Sequence, residues 1–201
     1  MPLLEADDLA LERNGRMIFE CLAFELEGGD ALLLSGPNGS GKSSLLRLLA
    51  GFIRPHAGLI RHAGHAIDPS SMNFRSQLHF VGHANAIKGR LSVAENLEFM
   101  TGLAGGRDGS AMSDPFAIGD LVERQGRFLS AGQKRRLALS RLVSAPRPLW
   151  LLDEPGVGLD RESRERLQQA IRDHRNSGGI AIVASHGDVT LKDHLVLELG
   201  A

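Results

Sequence analysis

Apolar and polar residues alternate along the first 34 residues, a pattern typical of half-buried β-strands. The turn pairs Asn14-Gly15 and Gly28-Gly29 separate these strands. The last of them, residues 31–34, is wholly apolar and runs into a glycine, as expected for a strand covered on both faces. A short hairpin is predicted over residues 58–67, and further apolar strands are predicted where the sequence reads HFVG, PLWLLDEP, GIAIVASH and HLVLELGA.

Helices are predicted between these strands. The first begins at Lys42, has leucines at positions 45, 46, 48 and 49, and is ended by Gly51 and Pro55. Residues 92–145 are helical in pattern, interrupted by a glycine-rich stretch at 102–115, and residues 161–174 form an amphipathic helix. Apolar strands that alternate with helices predict an α/β fold with a parallel sheet and right-handed crossovers.

Composition narrows the functional classes. The 201 residues carry a net charge of −1 and 4% aromatic residues with no tyrosine, which disfavours a nucleic-acid surface or a base-stacking platform. Cys21 is the only cysteine, so an intrachain disulfide is impossible and a reducing compartment fits. No apolar run approaches the ~18–20 residues that span a bilayer. If the protein acts at a membrane, we expect it to do so through a partner protein.

Residues 36–43 read G-x-x-x-x-G-K-S and lie between a buried strand and a helix, the context that this phosphate-loop pattern requires. The glycines let backbone N–H groups turn toward phosphate oxygens at the positive end of the helix. Lys42 supplies a charge for the β- and γ-phosphates, and the Ser43 hydroxyl suits Mg²⁺. The alternative is a glycine-rich turn with no ligand. The predicted nucleotide-binding residues are Gly36, Pro37, Asn38, Gly39, Ser40, Gly41, Lys42, Ser43 and Ser44.

Acidic residues end a second buried strand. Asp153 and Glu154 follow Leu149–Leu152, at the sheet edge where ligands bind in open α/β folds. Asp153 is predicted to hold Mg²⁺ together with Ser43, and Glu154 to orient and deprotonate the attacking water. The alternative is an acidic helix cap. His186 ends the next predicted strand, where it is either structural or a catalytic hydrogen-bonding partner of the γ-phosphate or the water.

The segment FLSAGQKRRLALSRLVSA, residues 128–145, places a potential helix cap, Ser130, before two small residues. We interpret Lys134, Arg135 and Arg136 as a solvated helix face. The segment resembles the Leu-Ser-Gly-Gly-Gln signature of ATP-binding-cassette (ABC) ATPases, with Ala131 in place of the first glycine. The phosphate loop resembles the Walker A motif of that family, Leu149–Glu154 its Walker B strand, residues 158–160 its D-loop, and His186 its switch histidine.

The resemblance covers nearly the whole chain. It implies a single domain over residues 1–201 with a P-loop NTPase core, an antiparallel β-lobe and a small helical lobe. Residues 1–82 and 146–201 would form the core with the β-lobe, and residues 83–145 the helical signature lobe. The family pairs two copies head to tail around ATP and Mg²⁺, so Ser130, Ala131, Gly132 and Gln133 would contact the nucleotide of the partner copy, with Asp160 in the D-loop.

Three positions depart from the family pattern. Arg13 stands where an aromatic side chain usually stacks on adenine, and either its planar guanidinium stacks there or it is a solvated strand end. Ala131 adds a methyl group near the phosphates. His83 stands in place of the Q-loop glutamine, and because Mg²⁺ prefers oxygen ligands, we expect it to hydrogen-bond a Mg²⁺-bound or attacking water.

Together, GHANAIKGRLSVAENL and LSAGQ are similar to the ATP-binding subunits of the cytochrome c maturation system, described as haem exporters. That resemblance implies integral membrane partner subunits and a place at the cytoplasmic face of the inner membrane. It assigns haem to partners, so His62 and His65 are not expected to ligate haem; their hairpin is also expected to place them on opposite faces. A soluble ABC ATPase acting on ribosomes or DNA, and an ATP-dependent clamp, stay open as alternatives.

Overall fold

The computed structural model describes residues 3–103 and 114–200, which form two sheets. Four strands make an antiparallel sheet in the order β2-β1-β4-β5, with bounds β1 Leu4–Arg13, β2 Arg16–Leu26, β4 Ala57–His62 and β5 His65–Ile67. Five strands make a parallel sheet in the order β6-β7-β8-β3-β9, with bounds β3 Ala31–Ser35, β6 Leu78–Val81, β7 Leu149–Asp153, β8 Ile180–Ala184 and β9 Leu195–Glu198.

The described residues also form five α-helices: α1 Lys42–Leu49, α2 Met72–Arg75, α3 Val93–Leu103, α4 Ala131–Ser144 and α5 Arg161–Asn176. None of the helices within residues 3–103 and 114–200 is long and apolar enough to cross a membrane. The single turn of α2 was not predicted, because four residues capped by Ser71 are too few to show a helical period.

The parallel sheet separates two apolar clusters, which explains why its central strands are apolar throughout. In β7, Leu149 and Leu151 belong to the cluster that joins α1 and the antiparallel sheet, whereas Trp150 and Leu152 belong to the cluster on the other face, with α4 and α5. Side chains alternate along a strand, so a strand covered on both faces needs an apolar residue at every position.

Strand order decides where the polar strand ends meet. β8 pairs in parallel with both β3 and β7, so the three carboxyl ends lie side by side at one edge of the sheet. β3 leads into the phosphate loop, β7 ends at Asp153, and β8 is followed two residues later by His186. The predicted adjacency of the His186 strand to the other two is confirmed.

The region between α3 and α4 differs from the prediction. Residues 114–130 are not a continuous helix but contain two one-turn 3-10 helices, Gly119–Leu121 and Gly126–Phe128. The Asp114 carboxylate accepts hydrogen bonds from the N–H groups of Ile118 and Gly119 at 2.9 and 2.6 Å, and such local side-chain bonds compete with helix formation. Most of the glycine-rich stretch predicted at 102–115 lies outside the described residues.

A buried amide holds the turn that leads from β6 into α3. Asn96 is fully buried; its Oδ1 accepts a bond from the N–H of Lys88, and its Nδ2 lies 2.8–3.2 Å from the carbonyl oxygens of Lys88, Leu91 and Ser92. Ser92 and Glu95 form a reciprocal cap at the start of the helix. The segment after the predicted Q-loop position therefore has a defined shape.

The buried imidazole of His79 makes the stability of the fold depend on pH. His79 in β6 is 7% exposed, and its Nε2 lies 2.7 Å from the carbonyl oxygen of Ala145. Burial lowers its pKa from 6.5 to about 4. Between pH 6.5 and pH 4 the unfolded chain takes up a proton at this histidine that the folded chain does not. The contribution of His79 to the free energy of unfolding is therefore at its maximum above pH 6.5 and decreases toward pH 4.

Urea unfolding of the wild type and of His79→Gln at pH 7.5 and 4.5 measures this contribution. The glutamine amide can still donate to Ala145 but does not titrate. On acidification the variant is expected to lose roughly 2–3 kcal/mol less than the wild type. Equal losses would show that His79 does not carry the pH dependence.

Candidate active site

The phosphate loop joins β3 to α1, and its shape depends on glycine. Gly36 has a φ of 132°, and a Cβ there would lie 2.2 Å from the carbonyl oxygen of Leu199. Gly41, at the N-cap of α1, has no side chain to bond the first N–H groups of the helix, which leaves them available to an anion. Lys42 is 7% exposed, and its Nζ donates to the carbonyl oxygens of Gly36 and Pro37 at 2.7 and 2.9 Å.

The predicted metal ligands lie together. The Ser43 hydroxyl donates to Oδ1 of Asp153 at 2.9 Å, joining the start of α1 to the end of β7. The side chain of Asp153 is 1% exposed, and its Oδ2 has no hydrogen-bond partner within residues 3–103 and 114–200. Within the described residues no three His, Cys, Asp or Glu side chains are grouped to hold a metal ion. One hydroxyl and one carboxylate suit Mg²⁺, which usually keeps waters and takes its other ligands from phosphates.

His83 lies at this same carboxylate. Its Nε2 is 3.7 Å from Oδ2 of Asp153, and its side chain is 61% exposed at the turn after β6. Because the His83 imidazole is exposed, it could hydrogen-bond a water molecule next to the Asp153 carboxylate.

Glu154 pairs with His186. Oε1 of Glu154 lies 3.5 Å from Nε2 of His186, and the Glu154 N–H donates to the carbonyl oxygen of Ala184 at 2.9 Å, so the two strand ends are joined by backbone and side chain. Burial raises the pKa of Glu154; the neighbouring carboxylate of Asp188 raises it further, and His186 opposes both. A carboxyl group with a raised pKa is a stronger base, which suits proton abstraction from water.

Asp188 was not identified from the sequence. Its Oδ1 accepts a hydrogen bond from the hydroxyl of Ser185, and its Oδ2 is buried so close to Gly156 that a Cβ there would lie 2.4 Å away. The residue lies in a loop with no periodicity to mark it. Its nearness to His186 in the sequence was the only signal.

The signature segment caps α4 as predicted. The Ser130 hydroxyl accepts from the N–H of Gln133 at 3.2 Å, and the Gln133 side chain accepts from the N–H of Ser130 at 2.9 Å. Ser130 and Ala131 are exposed, and among the described residues no hydrogen bond or ion pair joins them to the phosphate loop. A Cβ at Gly132 would lie 3.1 Å from the carbonyl oxygen of Gly158, so the signature and the D-loop are neighbours.

Asp160 and Arg13 lie at element ends. Asp160 caps α5, and its carboxylate accepts from the N–H of Ser163 at 2.8 Å, a bond that lowers the pKa of Asp160. Arg13 is exposed at the end of β1, opposite Arg16 in the strand register. The following strand reaches the phosphate loop, because Ile18 packs against Gly41. Stacking of Arg13 on adenine stays a prediction.

The interpretation of Arg135 as a solvated residue is wrong. Its side chain is 4% exposed and turns inward to the carbonyl groups at the end of β7. The sequence did contain a signal. Arg135 precedes the buried residues Ala138, Leu139 and Leu142 by three, four and seven positions, so it lies on the buried face of the helix.

The expected placement of His62 and His65 on opposite faces is also wrong. The two residues are paired directly across the β4–β5 hairpin. Alternation applies along one strand, whereas residues directly opposite each other in an antiparallel pair share a face. His62 packs edge-on against Phe74, with 5.7 Å between the ring centroids.

Comparison with known proteins agrees with this site. Residues 19–157 match the ABC transporter family. A structure described as a putative ABC transporter ATP-binding protein from Pyrococcus furiosus superposes with a TM-score of 0.82 over 98% of this chain and 96% of the other, at 22% identity, which establishes the fold. The chain belongs to the ABC transporter family and is an ATPase of the ABC type.

The similarity is closer to one group within that family. The chain is 47% identical to the cytochrome c biogenesis ATP-binding export protein CcmA of Rhodospirillum rubrum, covering 98% of this chain and 85% of the relative. It is 44% identical to the protein of the same name in Paramagnetospirillum magneticum, covering 96% and 92%. It therefore belongs with the cytochrome c biogenesis ATP-binding export proteins.

Proposed function

We propose that this protein hydrolyses ATP to drive a membrane complex for cytochrome c biogenesis that exports or handles haem. One observation carries the proposal. The side chains proposed for hydrolysis meet at one sheet edge in a chain that is 40–47% identical, over nearly its full length, to relatives named cytochrome c biogenesis ATP-binding export proteins. ATP is the substrate, and the phosphate loop with the start of α1 would bind its phosphates.

The residues present fit Mg²⁺. Ser43 offers a hydroxyl oxygen, and Asp153 offers a buried carboxylate oxygen that accepts no hydrogen bond from the described residues; these two residues would hold the ion. When bound, Mg²⁺ neutralises charge on the β- and γ-phosphate oxygens. Glu154 would take the proton from the attacking water, and His186 would orient Glu154 and hydrogen-bond the γ-phosphate.

A second copy would complete the site. Ser130, Ala131 and Gly132 lie at the exposed amino end of α4, where helix N–H groups attract an anion. In a head-to-tail pair that end would reach the γ-phosphate bound by the partner, and Asp160 would lie between the two sites. Hydrolysis breaks the bond to the γ-phosphate, and release of the resulting inorganic phosphate would remove the charge that holds the pair closed, so the pair would open.

Coupling to the membrane would run through the turn between β6 and α3. His83 lies at Asp153 at one end of this turn, and Asn96 fixes the other end. Integral membrane subunits contacting this turn would place the protein at the cytoplasmic face of the inner membrane. Haem would be carried by those subunits.

Affinity purification of the tagged full chain from detergent-solubilised membranes tests the proposal. Co-purifying integral membrane subunits whose loss abolishes cytochrome c maturation would support it. Ribosomal or DNA factors in their place would favour a soluble ABC ATPase. A complex with those membrane subunits but no ATPase activity would favour a clamp. Lys42→Met, which should bind ATP roughly 100-fold more weakly, shows whether capture of the partner depends on ATP.

Replacing His83 by glutamine tests its predicted place near the catalytic water. The variant is expected to keep turnover within about threefold, because the glutamine amide can also hydrogen-bond a water beside Asp153. His83→Ala, which has no polar side-chain group, should lower turnover roughly 3–10-fold. The measurement is the ATPase rate at a single pH, with exposed His65→Ala as control; wild-type turnover in His83→Ala would exclude this role.

A further inference from the structure

We propose that Arg135 is a positioning residue for ATP hydrolysis. It joins the signature helix α4 to the end of β7 and to the turn after β6, so that these three parts of the site move as one. The inference rests on the ATPase function proposed above, and it gives a role to a residue that lies outside the Walker, signature, D-loop and switch-histidine motifs.

The guanidinium of Arg135 uses its full donor capacity. An arginine has five N–H donors in a fixed planar fork. Arg135 makes five hydrogen bonds, from Nε to Pro155 O at 3.0 Å, from Nη1 to Gly82 O at 2.8 Å and Asn85 Oδ1 at 3.2 Å, and from Nη2 to Asp153 O at 3.1 Å and Glu154 O at 2.6 Å. The three bonds to consecutive carbonyl groups of residues 153–155 define the backbone path that carries the metal ligand and the base.

Burial argues against a role in packing alone. Arg135 is 4% exposed, and burial lowers its pKa while the carboxylates of Asp153, Asp188 and Glu154 raise it. A desolvated cation is expensive, and a hydrophobic residue of similar size often packs a helix against a sheet at least as well. The arginine is explained by its five directed bonds.

The backbone that it holds is strained. Glu154 has a φ of 50°, in the left-handed region that a non-glycine residue rarely adopts. Such a conformation persists where the surrounding structure determines it in several ways. Here the Glu154 N–H is bonded to Ala184, and its carbonyl oxygen is bonded to Arg135. Without the guanidinium this turn would lose a main support, and the Glu154 carboxylate would shift from His186.

The same guanidinium reaches the turn that carries His83. Gly82 and Asn85 flank that residue, and both accept bonds from Nη1. Arg135 is five residues beyond Ser130 in the same helix, so displacement of the helix end would be transmitted to the turn and to Glu154 together. The five bonds of Arg135 end on residues 82, 85 and 153–155, outside the phosphate loop at residues 36–43, so we expect a smaller effect on nucleotide binding than on turnover.

Arg135→Lys is the decisive variant, because it keeps the charge but not the five-donor fork. We expect turnover to fall roughly 100-fold, since misplacement of a catalytic group by about 1 Å costs that much. The affinity for a fluorescent ATP analogue should change less than about threefold. Arg147→Lys is the matched control, because Arg147 also binds two carbonyl oxygens, of Arg75 and Leu78, but at the opposite end of β6. It should keep wild-type turnover.

Turnover is measured on the full chain and divided by the folded fraction from the thermal unfolding curve. Wild-type turnover per folded molecule in Arg135→Lys, or a loss of affinity that parallels the loss of turnover, would overturn the inference. Asn85→Ala removes one bond from a surface turn and keeps the inference testable if Arg135→Lys does not fold. It should lower turnover roughly 3–10-fold with unchanged affinity, and wild-type turnover would overturn the link to the turn after β6.

The two proposals fail in different ways. A wild-type chain that hydrolyses ATP but captures no membrane subunit would contradict the cytochrome c function. The effect of Arg135→Lys on turnover could still be measured on that chain. A captured membrane complex in which Arg135→Lys turns over normally would contradict only the role of Arg135.

Discussion

Glu154→Gln is expected to bind ATP as tightly as the wild type and to hydrolyse it roughly 10²–10⁴-fold more slowly. Glutamine has the shape of glutamate and can still contact His186, but it cannot accept the proton of the attacking water. The phosphate loop, Ser43 and Asp153 are unchanged, so binding should be retained. Single-turnover hydrolysis and equilibrium binding of ATP measure the two effects separately.

The raised pKa of Glu154 predicts how Glu154→Gln changes the stability of the fold. Because burial raises this pKa, the ionised carboxylate costs stability at neutral pH, and a neutral amide removes that cost. The thermal midpoint of Glu154→Gln should therefore not fall. Glu165→Gln, an exposed residue paired with Arg161 on α5, is the control and should turn over normally. Unchanged turnover in Glu154→Gln would remove Glu154 from the role of base.

Lys42→Met and Ser130→Asp are each expected to abolish activity, but by different routes. Lys42→Met removes the cation that the phosphate loop holds and should weaken ATP binding roughly 100-fold. Ser130→Asp preserves the helix cap, because aspartate caps as well as serine, but it directs a carboxylate at the γ-phosphate of the partner copy. ATP binding by the separate chain should survive this second change.

Mixing the two variants tests the head-to-tail arrangement. Random pairing of equal amounts gives half heterodimers, each with one intact site, so about a quarter of the sites are restored. The ATPase rate of the mixture is compared with that of each variant alone. The control mixes Lys42→Met with the double variant Lys42→Met/Ser130→Asp and should stay inactive. A mixture no more active than its components would contradict the shared site.

Much of the fold followed from local patterns. The central strands are buried on both faces, so each reads as an unbroken apolar run, and the hairpin turns are marked by residues that adopt positive φ, such as Asn14 and Gly15. The cap at Ser130 likewise depends on residues three apart in the sequence. The segment 114–130 was harder to predict, because hydrogen bonds that its backbone N–H groups donate to the Asp114 carboxylate replace the helix that its composition suggests.

The candidate active site also has parts that follow from local sequence and parts that depend on tertiary contacts. The sequence by itself determined the phosphate loop, the acid pair at 153–154 and the signature cap, since each is a run of neighbouring residues whose chemistry follows from their order. The tertiary structure decided which distant groups meet. It joined Ser43 to Asp153, set Glu154 against His186 and Asp188, and turned Arg135 inward, because strand order and helix orientation fix contacts across 18–110 residues that no local pattern encodes.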